Sequence, residues 1–98
     1  MNLEKTDILQ ILQRELPYLK EKYGVKQIAL FGSFAKGNQS KASDVDLLVK
    51  VERPLGFEFI DLAYYLEEVL GRKVDLATFD NFQRSMENPK YKHVAFNV

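Results

Sequence analysis

Cysteine is absent from this chain of 98 residues, which excludes disulfides, thiolate metal sites and cysteine nucleophiles. Net charge is absent too, because 14 basic residues balance 14 acidic ones, and the chain therefore lacks the electrostatic signature of non-specific binding to nucleic acids or anionic membranes. No run approaches the ~18 apolar residues of a membrane span. The first residues do not combine a basic segment with an apolar one, as a secretory leader does. We therefore expect a cytoplasmic protein that binds neither membranes nor nucleic acids directly.

The remaining composition is that of a small globular domain. The hydrophobic fraction is 46% and the charged fraction is 29%, both ordinary for a folded chain. A length of 98 residues suits one hydrophobic core, so we expect a single domain over residues 1–98. A domain of this size is marginally stable alone, and we leave open whether it forms a homodimer or a hetero-oligomer with a partner protein.

The spacing of apolar residues alternates between that of helices and that of strands. Residues 3–22 follow helical spacing, with Asn2 as a candidate N-cap, Gly24 as a stop and Pro17 as the site of a kink or a break. The pattern then predicts strands at 25–31, 44–51 and 73–79. Between them it predicts a turn and short helix at 32–36, a surface loop at 37–43 and a helix at 57–70 that stops at Gly71. After the third strand it predicts a short helix that starts at a capping box in 80–83 and stops before Pro89, and a tail at 91–98 that is ambiguous between a strand and a docked extension. This order predicts an α/β or α+β fold, a small mixed sheet with helices packed on one face.

Two carboxylates stand at the start of the clearest predicted strand. Asp44 and Asp46 are separated by one residue, so a strand places both side chains on one face, about 6–7 Å apart. Their like charges repel, and aspartate has a low strand propensity. Solvent exposure or the neighbouring Lys36 and Lys41 would offset this cost. A divalent cation would also do so, because Mg²⁺ prefers carboxylate oxygens and is often shared with substrate phosphates.

A turn of small residues precedes these aspartates. Gly32 directly follows a predicted strand, and glycine permits a positive φ and lets a phosphate approach the backbone. Ser33 adds a hydroxyl and an N–H at a predicted helix start, where unpaired N–H groups attract anions. A Gly-Ser pair alone is a very weak signal, because it is far more typical of an ordinary turn than of a phosphate site.

A third carboxylate, Asp75, opens the apolar run of the third predicted strand. If this strand pairs beside the second, Asp75 faces the same side as Asp44 and Asp46. Three carboxylates can hold two Mg²⁺ ions, one that lowers the pKa of an attacking hydroxyl and one that holds a triphosphate and its leaving pyrophosphate. The alternative is an edge-strand carboxylate that pairs with Arg72 or Lys73.

The combined motif resembles a known signature. Gly32-Ser33, ten intervening residues and Asp44-x-Asp46 in an apolar strand are similar to the signature of the polymerase-β-type nucleotidyltransferase superfamily. The surrounding residues, Gly-Ser-Phe-Ala-Lys-Gly and then Ser-Asp-Val-Asp-Leu-Leu-Val, resemble its smallest branch, the minimal nucleotidyltransferase (MNT) domains, over about residues 25–79. The resemblance implies a Mg-dependent enzyme that transfers a nucleoside monophosphate, usually AMP from ATP, to a hydroxyl and releases pyrophosphate.

The resemblance also implies roles for individual residues. The triphosphate would be bound by Gly32 and Ser33, both metal ions by Asp44 and Asp46, and the catalytic metal by Asp75, which would act as or near the general base. Lys36 stands where relatives often have an arginine, and this departure leaves its contact with phosphate open.

Small MNT proteins are commonly antitoxins of HEPN-domain ribonuclease toxins, and some adenylylate a tyrosine of that toxin. The resemblance therefore implies a protein adenylyltransferase antitoxin with an HEPN-type partner. The chain lacks the second, substrate-recognising domain of larger relatives such as aminoglycoside nucleotidyltransferases, which indicates a substrate supplied by a partner protein. Two alternatives remain. One is AMP transfer to a small molecule or an RNA end. The other is a non-catalytic module that masks its partner, and the surplus aromatic residues are compatible with such an interface: Phe57, Phe59, Tyr64, Tyr65, Phe82, Tyr91 and Phe96.

Overall fold

A computed structural model of the protein describes residues 3–78 and 96–97. Within them lie, in chain order, α1 (Lys5–Tyr23), β1 (Val25–Phe31), α2 (Gly32–Lys36), β2 (Val45–Val51), α3 (Glu58–Leu70), β3 (Val74–Thr78) and β4 (Phe96–Asn97). The strands form one sheet in the order β3-β2-β1-β4. Strand β1 is antiparallel to β2 and β4, whereas β2 and β3 are parallel. The predicted small mixed sheet is confirmed.

The helices pack on one face of this sheet. Alternate residues of β2 point into the core, as the spacing of Val45, Leu47 and Val49 predicts, and all three are fully buried. They share the core with Ile8, Leu12 and Leu19 of α1, Ile28 and Leu30 of β1, Phe34 of α2, and Leu62 and Leu66 of α3. Burial of each such side chain contributes about 1.5–3 kcal/mol, so this face supplies most of the stability of the domain.

The opposite face of the sheet carries both apolar and acidic residues. Ala29 pairs with Leu48, and Phe31 pairs with Asp46, across the antiparallel β1–β2 ladder. Paired residues point to the same side of a sheet, so these four share a face, which we call the carboxylate face. Ala29 and Leu48 are fully buried and Phe31 is 4% exposed, so the acidic residue lies beside an apolar surface.

Helix α1 differs from the sequence prediction in two respects. The N-cap is Glu4, whose side chain accepts the backbone N–H of Asp7 while its own N–H donates to Oδ2 of Asp7 at 3.0 Å. The predicted cap at Asn2 was therefore wrong. The helix also continues through Pro17, so of the two predicted outcomes, a kink or a break, the break does not occur. Pro17 is exposed, and the carbonyl that it leaves without a donor can face water. The stop at Gly24 is confirmed by its left-handed φ of 69°.

The other predicted boundaries lie within one residue of the observed ones. Strand β2 begins at Val45, so Asp44 lies at the end of the preceding loop, and α3 begins at Glu58 and is closed by Gly71. The predicted capping box in 80–83 and the short helix before Pro89 lie outside the described residues, as does the tail except for β4. None of the described helices is both long and apolar enough to cross a membrane.

Two tyrosine–carboxylate hydrogen bonds join α1 to α3. The Tyr23 hydroxyl donates to Oδ2 of Asp61 at 2.5 Å, and the Tyr65 hydroxyl donates to Glu15. Burial and the bond to Asp61 raise the pKa of Tyr23 well above its ordinary value. The hydrogen bond to Glu15, with burial, raises the pKa of Tyr65 to about 12.

We predict that Tyr65→Phe lowers the free energy of unfolding by about 1 kcal/mol near pH 7, the net value of one hydrogen bond. Because the folded pKa of Tyr65 lies above its ordinary value of 10.0, its contribution is complete below pH 10 and is lost as the pH rises towards 12. Urea unfolding should therefore show that the gap between wild type and variant narrows above pH 10. Tyr64→Phe is the matched control, because Tyr64 is 67% exposed. A gap that is the same at every pH would contradict this account.

Candidate active site

The end of β1 and the beginnings of β2 and β3 lie at one edge of the sheet. Phe31, the last residue of β1, pairs with Asp46, and Asp46 pairs in turn with Asp75 on β3. The Val45 N–H donates to the Lys73 carbonyl at 2.9 Å and so holds the two strand beginnings in register. The turn that follows β1 and the predicted carboxylates are therefore brought together.

Gly32 lies directly against the side chain of Asp46. Its φ is +75°, and a Cβ at this position would lie 2.1 Å from Oδ2 and 2.9 Å from Cγ of Asp46. Real Cβ atoms do not approach other atoms so closely, so glycine is required both for its conformation and for the space it leaves. The two halves of the sequence motif, the Gly-Ser turn and the paired aspartates, are thus in contact.

The three predicted carboxylates lie at one edge of the sheet. Asp46 is half-buried between β1 and β3, whereas Asp44 and Asp75 are exposed. The parallel register places Asp46 and Asp75 on neighbouring strands, about 4.8 Å apart. Asp44 lies two residues before Asp46, in the loop that leads into β2.

These residues fit a divalent cation by the chemistry of their donors. Ionised carboxylates offer only acceptor oxygens, which Mg²⁺ prefers, and Gly32 leaves the space that the Asp46 carboxylate occupies beside the turn. Over residues 3–78 and 96–97, no three acidic or imidazole side chains are close enough to hold an ion as they stand. The donors therefore lie near one another at this edge of the sheet without converging on a single point.

The predicted phosphate-binding residues lie on α2. Phe34 and Ala35 bury this short helix in the core, while Ser33 is half-buried and Lys36 is exposed. Ser33 and Lys36 are three residues apart and therefore share a side of the helix. The helix ends at Gly37, where the polar loop towards Asp44 begins.

Arg72, considered from the sequence only as an ion-pair partner of Asp75, holds the polar loop instead. Its guanidinium donates to the carbonyl oxygens of Ser40, Lys41 and Ser43, each at 2.7 Å. It also lies 5.1 Å from the ring centroid of Phe34. Backbone acceptors leave no trace in a side-chain pattern, so the only signal in the sequence was an arginine shortly before the apolar strand that carries Asp75.

Two surface pockets of about 330 Å³ each lie away from the carboxylates. One is lined by residues 50–56 with Phe59 and Thr78, at the far ends of β2 and β3. The other is lined by the start of α1, residues 39–41 and Arg72. Asp44, Asp46 and Asp75 line neither pocket, so the carboxylates do not belong to either cavity.

The profile of the Nucleotidyltransferase domain family matches residues 12–97. The chain belongs to this family, and it is a nucleotide-transferring enzyme by class. Among its relatives, MJ1379 of Methanocaldococcus jannaschii, named provisionally as a protein adenylyltransferase, is 43% identical over 90 residues, which are 89% of this chain and 86% of that protein. Protein adenylyltransferase MntA of Thermococcus cleftensis is 35% identical over 91 residues, which are 92% of each protein.

Solved structures share the fold. One, described provisionally as a minimal nucleotidyltransferase, has a TM-score of 0.68 and 25% identity and covers 97% of this chain and 96% of its own. A crystal structure of a toxin–antitoxin with AMP-PNP has a TM-score of 0.55 and 30% identity, covering 78% of this chain and 57% of that one. These matches agree with the mixed sheet and helical layer described above.

We predict that Gly32→Ala disrupts the site far more than Gly37→Ala. Both glycines have a positive φ, +75° at Gly32 and +79° at Gly37, so both substitutions carry the same conformational cost. A Cβ at residue 32 would collide with Asp46, whereas a Cβ at residue 37 would have no other atom within 4 Å. In an equilibrium binding assay with Mg²⁺ and a fluorescent ATP analogue, Gly32→Ala should weaken binding by about tenfold or more, because Asp46 must move. Equal effects of the two substitutions would show that the contact with Asp46 is unimportant.

Proposed function

We propose that this chain is a Mg-dependent protein adenylyltransferase, which transfers AMP from ATP to a hydroxyl of a partner protein and acts as the antitoxin of a toxin–antitoxin pair. The observation that carries the proposal is the contact between Gly32 and Asp46, because it joins a phosphate-type turn to a metal-type carboxylate. The names of the relatives support protein as the acceptor and AMP as the transferred group. The AMP-PNP complex of a related toxin–antitoxin supports ATP as the donor.

The turn and α2 would hold the phosphates. Gly32 leaves its backbone open to a phosphate oxygen, and Ser33 offers a hydroxyl and an N–H at the same turn. Lys36, exposed on the side of α2 that carries Ser33, can supply a compact positive charge to the triphosphate. These contacts need no deep cavity, in keeping with the position of the turn at the edge of the sheet.

The three carboxylates would hold the divalent ions. Asp44 and Asp46 would bind both ions, and Asp75 would bind the one nearer the acceptor. Mg²⁺ bound there neutralises triphosphate charge and lowers the pKa of a coordinated hydroxyl. Asp46, fixed in the ladder between two strands, would set the position of the site, while the exposed Asp44 and Asp75 could adjust to the substrate.

The transfer itself is a substitution at the α-phosphorus. The acceptor hydroxyl oxygen bonds to that phosphorus as the bond to pyrophosphate breaks, and the hydroxyl proton passes to a nearby carboxylate. Asp75 suits this role, because it is exposed at the sheet edge, where an acceptor would arrive from solvent. We assign the acceptor to a tyrosine of an HEPN-type ribonuclease toxin, on the strength of the family resemblance and the toxin–antitoxin relative.

We predict that incubation with ATP, Mg²⁺ and the genomically adjacent protein adds one or more adenylyl groups to that neighbour. Asp44→Asn and Asp46→Asn should each slow the transfer by about 100-fold or more, because each removes a carboxylate ligand of the divalent ions that would neutralise the triphosphate. Intact-mass spectrometry over a time course measures the rates. Glu21→Gln, at an exposed carboxylate of α1, is the control and should leave the rate unchanged. A neighbour that stays unmodified by the wild type would refute the catalytic proposal.

A second candidate function, masking of the partner, is favoured by the outer face of α3. Phe57, Ile60 and Tyr64 follow helical spacing and are 93%, 54% and 67% exposed; we call them the α3 stripe. The helix carries acidic residues and no basic one, so the stripe best fits an apolar surface of the toxin that is rimmed by lysine or arginine. Two other aromatics considered for an interface, Phe59 and Tyr65, pack against the core instead, and Phe82 and Tyr91 lie outside the described residues.

We predict that the double substitution Ile60→Lys with Tyr64→Lys weakens binding of the neighbouring toxin by about tenfold or more, because it removes apolar contacts and places charge against a basic rim. Isothermal titration calorimetry measures the affinity. Gln10→Lys, at an exposed site of α1, adds the same charge elsewhere and should bind as the wild type does. Unchanged affinity of the double variant would exclude the α3 stripe as the docking surface.

A further inference from the structure

We propose that Arg72 is a positioning residue, which sets Asp44 in place by holding the loop that leads to it. The inference rests on the proposed function, since it assigns Asp44 to the divalent-ion site. It concerns a residue that the sequence motif does not contain.

The loop between α2 and β2 has no apolar anchor. None of residues 37–44 is buried, so the hydrophobic effect does not fix the conformation of this segment. Its internal bonds centre on Ser40. The Ser43 N–H donates to the Ser40 carbonyl at 3.2 Å, the Ser40 N–H donates to the Ser43 Oγ at 2.9 Å, and the Ala42 N–H donates to the Ser40 Oγ at 3.3 Å. Exposed bonds of this kind contribute little alone, so the loop needs an external contact.

The Arg72 guanidinium supplies that contact. Three loop carbonyls, those of Ser40, Lys41 and Ser43, converge on its Nε and Nη2 atoms at 2.7 Å. Only arginine offers several donors in a rigid planar arrangement, and hydrogen bonds from a charged donor are stronger than neutral ones. A lysine would present one ammonium on a flexible stem and could not reproduce the set.

Arg72 also contacts the chain next to two of the predicted site residues, Ser33 and Asp44. Its guanidinium lies 5.1 Å from the ring of Phe34, which follows Ser33, and one of its acceptors, Ser43, precedes Asp44. Along the chain, Arg72 lies three residues before Asp75. Asp46 needs no such support, because two neighbouring strands hold it. Loss of the Arg72 contacts should therefore change mainly the position of Asp44.

A direct contact between Arg72 and a phosphate is the competing explanation. In that case Arg72→Lys would keep the positive charge and retain most of the function, and the loop would be unaffected. If Arg72 positions Asp44, both Arg72→Lys and Arg72→Gln should loosen the loop. Arg53 provides a matched control, because its Nη2 also donates to a backbone carbonyl, that of Lys22 at 3.1 Å, away from the carboxylates.

The first test needs no activity. Hydrogen–deuterium exchange of the peptide that covers residues 37–44 should be about tenfold faster in Arg72→Lys and Arg72→Gln than in the wild type and Arg53→Lys, because the charged hydrogen bonds are lost. Exchange in α1, followed in the same experiment, reports whether the variants remain folded. Unchanged exchange in the loop of folded Arg72 variants would overturn the proposal, whether or not the chain transfers AMP.

The second test separates Asp44 from the other ligands. The Mg²⁺ concentration that gives half-maximal binding of a fluorescent ATP analogue should rise by about tenfold in Arg72→Lys. Adding Arg72→Lys to Asp44→Asn should have little further effect, because both changes disable the same ligand, whereas its effect should persist beside Asp75→Asn. Independent effects of Arg72→Lys and Asp44→Asn would contradict the proposal. A wild type that binds no nucleotide would refute the proposed function, and loop exchange alone would then decide the role of Arg72.

Discussion

The site depends on the close approach of the Gly32 backbone to the Asp46 carboxylate. Any other residue at position 32 would displace the Asp46 carboxylate, because a Cβ would lie 2.1 Å from Oδ2 of Asp46. The approach is possible because β1 ends where its antiparallel neighbour β2 begins, which sets Phe31 opposite Asp46. The buried faces of β1 and β2 hold this register, since a slip of one residue would turn their core side chains towards the carboxylate face. The core thus fixes the geometry of the site.

The arrangement of the acidic residues follows from what each position can tolerate. At about 4.8 Å, two like charges repel by about 1 kcal/mol in water and by 3–4 kcal/mol at an effective dielectric constant of 20. Exposure of Asp44 and Asp75 keeps the repulsion near the lower value, and only Asp46 lies half-buried. A cation would remove the remaining repulsion, so the fold can hold these groups ready without a large loss of stability. The carbonyls of the loop between α2 and β2, in turn, already accept hydrogen bonds from the cationic guanidinium of Arg72.

Most of the fold was predictable, because its signals are local. The alternation of Val45, Leu47 and Val49 predicted the buried face of β2, and the glycines after α1 and α3 predicted the ends of those helices. The failures arose where the decisive partner is another segment or the backbone. Pro17 did not break α1, and Glu4 with Asp7 replaced the expected cap. The shared face of Asp44 and Asp46 stays a prediction, because Asp44 lies in the loop before β2. The parallel register of Asp46 with Asp75 depends on how α3 returns the chain. The contact of Arg72 with the loop was not predicted, because its acceptors are backbone carbonyls, which every residue has.

The carboxylates and the α3 stripe lie on opposite sides of the sheet. Helix α3 packs through Leu62 and Leu66 against the core face, so its exposed stripe points away from the face that carries Asp46. A toxin bound to the stripe would leave the carboxylate face free, and masking and AMP transfer would then use separate surfaces of the same domain. The two surfaces nevertheless adjoin along the chain, because α3 ends at Gly71 and Arg72 follows at once. Masking and catalysis are therefore compatible in this fold, and the effect of a substitution on one surface can be measured without disturbing the other surface.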